Sequence, residues 1–261
     1  MHRITANATH LAATLAVTAA AVLAAFAMPL PAQALTISLV SDGGNTISGS
    51  GKEVSVARQV GAFSVLRLDS SVDVHAHPGA AAAVVVQADD NIEPLVETTV
   101  EGNTLIVRLK KGTSLRTNHK MIVDVTFTTL TASQQQGSGD LHIDRLSGPN
   151  FESSIAGSGD LHIDGAQLGT FAVSIAGSGD VTLSGTADAA RFGVDGSGDI
   201  DARNFAAKKV AVSIAGSGVA RVNATESIDA KVAGSGDITY SGHPHDVMRK
   251  VSGSGSIESA H

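Results

Sequence analysis

Seven Gly-Ser-Gly triplets, beginning at Gly137, Gly157, Gly177, Gly196, Gly216, Gly234 and Gly253, divide the second half of the chain into steps of 20, 20, 19, 20, 18 and 19 residues. A period this steady marks one structural unit repeated. Aligned on the first glycine, the copies share three apolar columns. Two residues before it stand Ile155, Ile175, Val194, Ile214, Val232 and Val251, and four after it Leu141, Leu161, Val181, Ile200, Ala220, Ile238 and Ile257. Six after it come Ile143, Ile163, Leu183, Ala202, Val222 and Tyr240, with Ser259 breaking the column. Polar residues fill the positions between, which is the period-two alternation of a strand with one buried face. Each repeat reads as two short strands meeting at a glycine turn.

A strand pair of that size cannot bury its own inner face. Stacking successive copies sets each apolar column on its equivalent and closes a continuous core. About 20 residues per coil is too short for a propeller blade and too strand-like for helical repeats. The fold class that follows is all-β, a parallel β-helix with a less regular N-terminal β half. The closing glycines Gly139, Gly159, Gly179, Gly198, Gly218, Gly236 and Gly255 complete the turns, where glycine tolerates positive φ and the serine between can bond a neighbouring coil.

Glycine richness alone would suggest a disordered linker, yet 14 of the 28 glycines lie in the seven triplets and 43% of the residues are hydrophobic. Such a chain can bury a core. With no cysteine, no disulfide framework exists. One tyrosine, no tryptophan and a formal net charge of −7 leave few stacking platforms for bases and repel phosphate backbones, so nucleic acid is not an expected partner.

Residues 1–34 have the layout of an export signal. Arg3 precedes an apolar run from Leu11 to Met28, followed by Pro29, Pro31 and the small-residue site Ala32-Gln33-Ala34. The alternative is a retained membrane anchor, since the run is about long enough to span a bilayer; its alanines, the prolines and the A-x-A ending favour cleavage after Ala34. Residues 35–60, with Ile37 and Leu39 alternating before a turn cluster, form an N-terminal segment expected to cover the open end of the stack. Residues 61–136 form an irregular β-rich part with strands at 63–68, 72–76, 83–87, 95–100, 105–109 and 121–127. Lys110–Lys120 reads as a solvated loop and Thr131–Gln136 as a polar joint. Residues 137–261 carry the regular repeats.

These residues resemble the autotransporter-adhesin head GIN domain family of bacteria. The likeness begins with S-G-S-G-K-E-V-S-V-A-R-Q-V-G-A-F at Ser48–Phe63, continues through D-V-H-A-H-P-G at Asp73–Gly79 and G-N-T-L-I-V at Gly102–Val107, and takes in the G-S-G-D ladder. It ends with G-S-G-D-I-T-Y-S-G-H-P at Gly234–Pro244 and V-S-G-S-G-S-I at Val251–Ile257, and so spans about residues 48–258. The resemblance implies a right-handed β-helix, similar in shape to pectin-lyase-type proteins without their catalytic residues, and an adhesive role at the cell surface or envelope. The chain departs from the repeat at Val219 and Ser256, where Asp is expected, and at Ala202 and Ala220, where the core thins.

Two constellations could carry chemistry. Asp140, Asp160, Asp180, Asp199 and Asp237 share one place after the turn, so consecutive coils set their carboxylates about 4.8 Å apart. Like charges in such a column must face water, accept turn hydrogen bonds or share a cation. Turn capping is the favoured reading, with calcium as the alternative because it takes hard oxygen ligands. The repeated G-S-G-D-L-H-I-D at Gly137–Asp144 and Gly157–Asp164 brings His142 beside His162, flanked by four aspartates, as a candidate zinc or copper patch. An open sheet offers no enclosing geometry or outer shell, so duplicated surface residues are the favoured reading there and no cofactor is expected. His75 with His77 and His243 with His245 alternate on one side of their strands and are weaker candidates.

Sugar cleavage would need a paired carboxylate set in an aromatic groove. The aspartates belong to the repeat, Phe151, Phe171 and Phe192 fall at inward positions, and Ser138 through Ser254 form a column of turn serines. No catalytic residue is assigned. The expectation is an exported, non-enzymatic β-helix acting as an adhesion or binding module, periplasmic, outer-membrane-associated or extracellular, whose partner is an envelope or cell-surface protein or glycan. The alternatives are a carbohydrate-active lyase or hydrolase and a metal-stabilised envelope structural protein. The final triplet ends close to His261, so the last coil presents an edge through which a homo-oligomer could form.

Overall fold

The computed structural model describes residues 46–260. The expected export signal at 1–34 and the expected alternation of Ile37 and Leu39 lie outside them.

The glycine-delimited repeats build the regular half. Strands β10 (Ala132–Gly137), β11 (Leu141–Asp144), β12 (Ser147–Gly157), β13 (Leu161–Gly177), β14 (Val181–Gly196), β15 (Ile200–Gly216), β16 (Val219–Gly234), β17 (Asp237–Ser241), β18 (Asp246–Gly253) and β19 (Ser256–Ser259) stack coil on coil. Every pairing among them is parallel. Leu161 pairs with Val181, Ile175 with Val194 and Gly177 with Gly196, so the repeat alignment is the structural register. Ile155, Ile175, Val194, Ile214 and Val232 are buried, as are Leu141 through Ile238 in the second column. Phe151 and Phe171 stack inside with ring centroids 6.2 Å apart, and Phe205 meets Phe171 at 5.3 Å.

The four central coils depart from the expectation of two short strands: β13 to β16 are each one strand of 16 or 17 residues running from one Gly-Ser-Gly to the next, whereas the coils of β11 with β12 and of β17 with β18 keep two strands. Register shifts between Ile163 and Ala166, Thr182 and Ser184, and Ala202 and Ala206 bend the strand without ending it. Extra residues taken up as bulges leave the ladder intact on either side, which is how steps of 18 to 20 residues coexist in one stack.

At Gly157, φ is +138°, and a Cβ there would lie 2.2 Å from the carbonyl oxygen of Gly137. Gly159 needs no positive φ. It is glycine because a Cβ would lie 2.3 Å from the Gly139 oxygen. Thus the first glycine of a triplet serves both the turn and the close approach of coils, and the last serves the approach alone. The serine between bonds the neighbouring coil through its backbone, Ser178 N donating to Gly157 O at 2.9 Å.

The N-terminal part extends the same stack. Strands β3 (Val65–Asp69) and β4 (Asp73–Pro78) form a coil without the triplet: β3 pairs in parallel with β10, and β4 with β11. Ser70-Ser71-Val72-Asp73 stands where Gly-Ser-Gly-Asp would. The chain then makes an excursion through β5 (Ala83–Asp89), a 3-10 turn (Glu93–Leu95), β6 (Val96–Glu101), β7 (Thr104–Leu109), β8 (Ser114–Arg116) and β9 (Ile122–Phe127) before returning at β10. Strands β7 and β9 lie parallel beneath β3 and β4. Antiparallel strands finish this end: β6 on β7, β5 on β9, and β2 (Glu53–Arg58) on β5. Arg58 fastens the outermost strand by donating to Val96 O, Glu93 O and Glu93 Oε1.

Two segments differ from their sequence reading. Thr131–Gln136, expected as a polar joint, falls from Ala132 onward in strand β10, with Ser133 and Gln135 buried at core positions between Leu66 and Leu68 on one side and Ser153 and Ile155 on the other. Polar residues at inward positions hid the strand. Ser133 and Ser153 satisfy each other with a hydroxyl bond of 2.8 Å. Within the expected loop Lys110–Lys120, β8 pairs with β1 (Thr46–Ser48) as a separate two-stranded sheet.

Candidate functional site

The outward positions after the glycine turn make a face along one side of the solenoid. The aspartate column there is a hydrogen-bonded ladder. Asp140 Oδ1 accepts the backbone N–H of Asp160 at 3.0 Å, Asp160 Oδ1 that of Asp180 at 2.8 Å, and Asp180 Oδ1 that of Asp199 at 2.8 Å. Asp199 Oδ1 holds Val219 N at 2.8 Å, and Asp237 Oδ1 holds both the N–H and the hydroxyl of Ser256. One oxygen of each carboxylate is therefore committed to the next coil. Val219 cannot accept, and Asp237 N donates to Gly218 O instead, at 3.1 Å.

Beside this ladder runs a column of imidazoles. His142 and His162 are in register, with ring centroids 4.7 Å apart and planes inclined by 19°. Their Nε2 atoms converge on one oxygen: Asp164 Oδ2 lies 3.1 Å from His162 and 3.6 Å from His142. Asp144 Oδ1 lies 2.9 Å from His142 Nε2. These side chains are partly exposed, and the two histidines border a shallow cleft of about 410 Å³, which Asp73, Asp140, Asp160, Asp180 and Lys120 also line.

The structure adds residues the repeat did not announce. Asp73 continues the ladder below the first triplet, its Oδ1 accepting Asp140 N at 3.2 Å. His75 continues the imidazole column, pairing in register with His142, with ring centroids 5.9 Å apart. A signal existed: Asp73-Val74-His75-Ala76 matches Asp140-Leu141-His142-Ile143, but the offset is 67 residues because the excursion intervenes. Ser184 is the third addition. Its hydroxyl donates to Asp164 Oδ1 at 3.2 Å and accepts the Gly165 N–H at 3.0 Å.

The other histidine pairs go elsewhere. His77 meets Thr126 Oγ1 at 3.0 Å, away from His75's neighbours. His243 and His245 lie between β17 and β18, not on a strand, and His243 has a positive φ of 57°.

A second cluster sits where β1, β5 and β8 meet. Asp89, buried at the end of β5, accepts the Thr117 hydroxyl at 2.7 Å and lies 2.7 Å from His119 Nδ1. The His119 bond, then that of Thr117, holds the Asp89 carboxyl below the usual carboxylate range. The same bond, followed by the charge of Asp89, raises the His119 imidazole.

Comparison with known proteins agrees with this geometry. The family model described as "Putative auto-transporter adhesin, head GIN domain" matches residues 62–244, inside the span of the sequence resemblance. A solved structure of a "putative adhesin" from Bacteroides fragilis is 31% identical, with a TM-score of 0.78, and the match covers 82% of this chain and 100% of that one. A "putative lipid binding protein" from Parabacteroides distasonis is 29% identical with a TM-score of 0.70, covering 83% and 100%. A "putative adhesin" from Parabacteroides merdae, 22% identical at TM-score 0.66 over 83% and 99%, shares the fold. No curated protein matches the chain. The Gly-Ser-Gly register, the stacked coils and the match over residues 62–244 agree: this chain belongs to the auto-transporter adhesin head GIN domain family.

Proposed function

We propose that the chain is an exported binding module of the bacterial cell envelope that adheres through its rigid flank and performs no catalysis. The observation that carries this reading is how the polar groups of the flank are used. The ladder carboxylates bond the backbone of the next coil, and the phenylalanines and the tyrosine among the described residues are sealed in the core. Glycan cleavage wants the opposite arrangement, free paired carboxylates in a groove with exposed rings. A flat, repetitive face suits recognition by many weak contacts in series.

The partner under this reading is an envelope or surface protein or glycan. At the C-terminal end a second copy of the chain is the natural partner, because β18 is exposed along its whole length and leaves Val247, Met248 and Val251 uncovered beside an open strand edge. Light scattering of the full chain should show self-association that Met248→Lys weakens; a strict monomer at high concentration removes this part.

The main test is adhesion itself. Full chain applied to arrayed envelope proteins and glycans should bind saturably and leave every glycan intact. Release of shortened glycan, abolished by changing a single carboxylate, would replace this reading with the enzymatic one.

A further inference from the structure

His142, His162 and Asp164 stand apart from the rest of the flank because their donor atoms converge instead of running in parallel. We propose that they form a binding site for a single divalent transition metal, zinc being the ion that suits them best.

One ring nitrogen each of His142 and His162 and a carboxylate oxygen of Asp164 lie within 4.8 Å of one another. Zinc bonds to imidazole nitrogen and carboxylate oxygen are about 2.0–2.2 Å, so adjacent ligand atoms of a tetrahedral site lie about 3.4 Å apart. The distances from Asp164 Oδ2 to the two nitrogens, 3.1 and 3.6 Å, bracket that value. The ion would enter where the two Nε2 atoms now face a shared oxygen, displacing any proton held between them. A set of two imidazoles and a carboxylate suits Zn2+, Cu2+ or Ni2+ and not the hard cations Ca2+ and Mg2+.

An exposed histidine pair on a sheet usually lacks the outer contacts that fix a metal ligand. Here Ser184 provides one. It holds Asp164 Oδ1 from the following coil and is itself held by the Gly165 N–H, so Oδ2 is left aimed at the imidazoles. Asp144 Oδ1, 2.9 Å from His142 Nε2, stands close enough to steady that ring or, after a side-chain turn, supply a fourth oxygen. With three protein ligands the fourth position is open to water. His75 belongs to the same column but lies outside the group of converging donor atoms, with its Nδ1 3.9 Å from Asp124.

Calorimetric titration of the untagged full chain with Zn2+ alone should saturate at one equivalent, and Co2+ in its place should give the visible absorption of a tetrahedral site. His162→Gln and Asp164→Asn should each abolish saturable binding without lowering the melting temperature of the metal-free chain, because all three side chains are partly exposed. Ser184→Ala should weaken Zn2+ about tenfold, the effect expected of an outer contact. His75→Gln should change nothing. Absence of one-to-one binding, binding undiminished by Asp164→Asn, or an equal loss in His75→Gln would each overturn the assignment. Adhesion measured with and without chelator is a separate readout, so loss of this site leaves the flank's binding role intact.

Discussion

Asp160 Oδ1 accepts the backbone N–H of Asp180 at 2.8 Å, one coil further along the solenoid. That bond converts a column of like charges into a connected ladder, since each aspartate is at once acceptor for the next coil and donor to the previous one. The residue is needed as an acceptor more than as a charge. Asp180→Asn should leave stability within about 0.5 kcal/mol of the parent, whereas Asp180→Ala should cost about 1 kcal/mol, the net value of one such bond. Urea unfolding of both variants checks the order. A larger loss in Asp180→Asn than in Asp180→Ala, or a fall in melting temperature on adding a calcium chelator, would favour a cation-bridged column.

Gly157 and Gly165 separate two reasons for glycine. Both have positive φ, but a Cβ on Gly157 would lie 2.2 Å from Gly137 O while one on Gly165 would meet nothing within 4 Å. Gly165→Ala should cost about 1 kcal/mol for the backbone conformation. Gly157→Ala should cost about 3 kcal/mol or more, because coils must also move apart. Equal losses in thermal unfolding would mean that close stacking does not constrain the triplet.

Gln135 occupies a core column between Leu68 and Ile155, and its Oε1 is buried without a partner. Its Nε2 donates to Asp160 O at 2.9 Å, but that carbonyl also accepts Leu141 N. Gln135→Leu should therefore raise stability by about 1 kcal/mol by removing an orphaned acceptor. Destabilisation by more than that amount would show that the amide bonds outweigh the orphan.

The Asp89–His119 contact makes the attachment of β8 depend on pH. A raised imidazole contributes stability that is full below about pH 6.5 and lost as pH rises through its folded value. A lowered carboxyl contributes stability that is full above about pH 4 and lost as pH falls through its folded value. The contact is thus strongest between about pH 4 and pH 6.5. Amide exchange in β1 and β8, corrected for intrinsic rates, should quicken as pH rises above that window in the parent chain but not in His119→Gln. Identical profiles for the two would remove His119 from the role.

The sequence by itself determined the solenoid, its register and the composition of its core. A repeat of about 20 residues makes every coil contact its neighbours at one fixed offset, so aligning the triplets was already equivalent to pairing the strands. For the same reason the neighbourhood of His142 and His162 was legible. Tertiary structure alone decided the rest, and each case has a break in periodicity behind it. Strand β3 meets β10 across a 67-residue offset, which hid Asp73 and His75 from the alignment. Ser184 reaches Asp164 from the next coil, at the place where the pairing of β13 with β14 shifts register between Ile163 and Ala166, which makes its direction unreadable from spacing. Asp89 and Asp90 are indistinguishable in the polar run that closes β5, and only the approach of β8 shows that Asp89 is buried against Thr117 and His119 while Asp90 is partly exposed and held by the Ser50 hydroxyl. A repeating chain specifies its nearest-neighbour contacts through a constant spacing; contacts across an insertion or a bulge depend on where the backbone is carried in space.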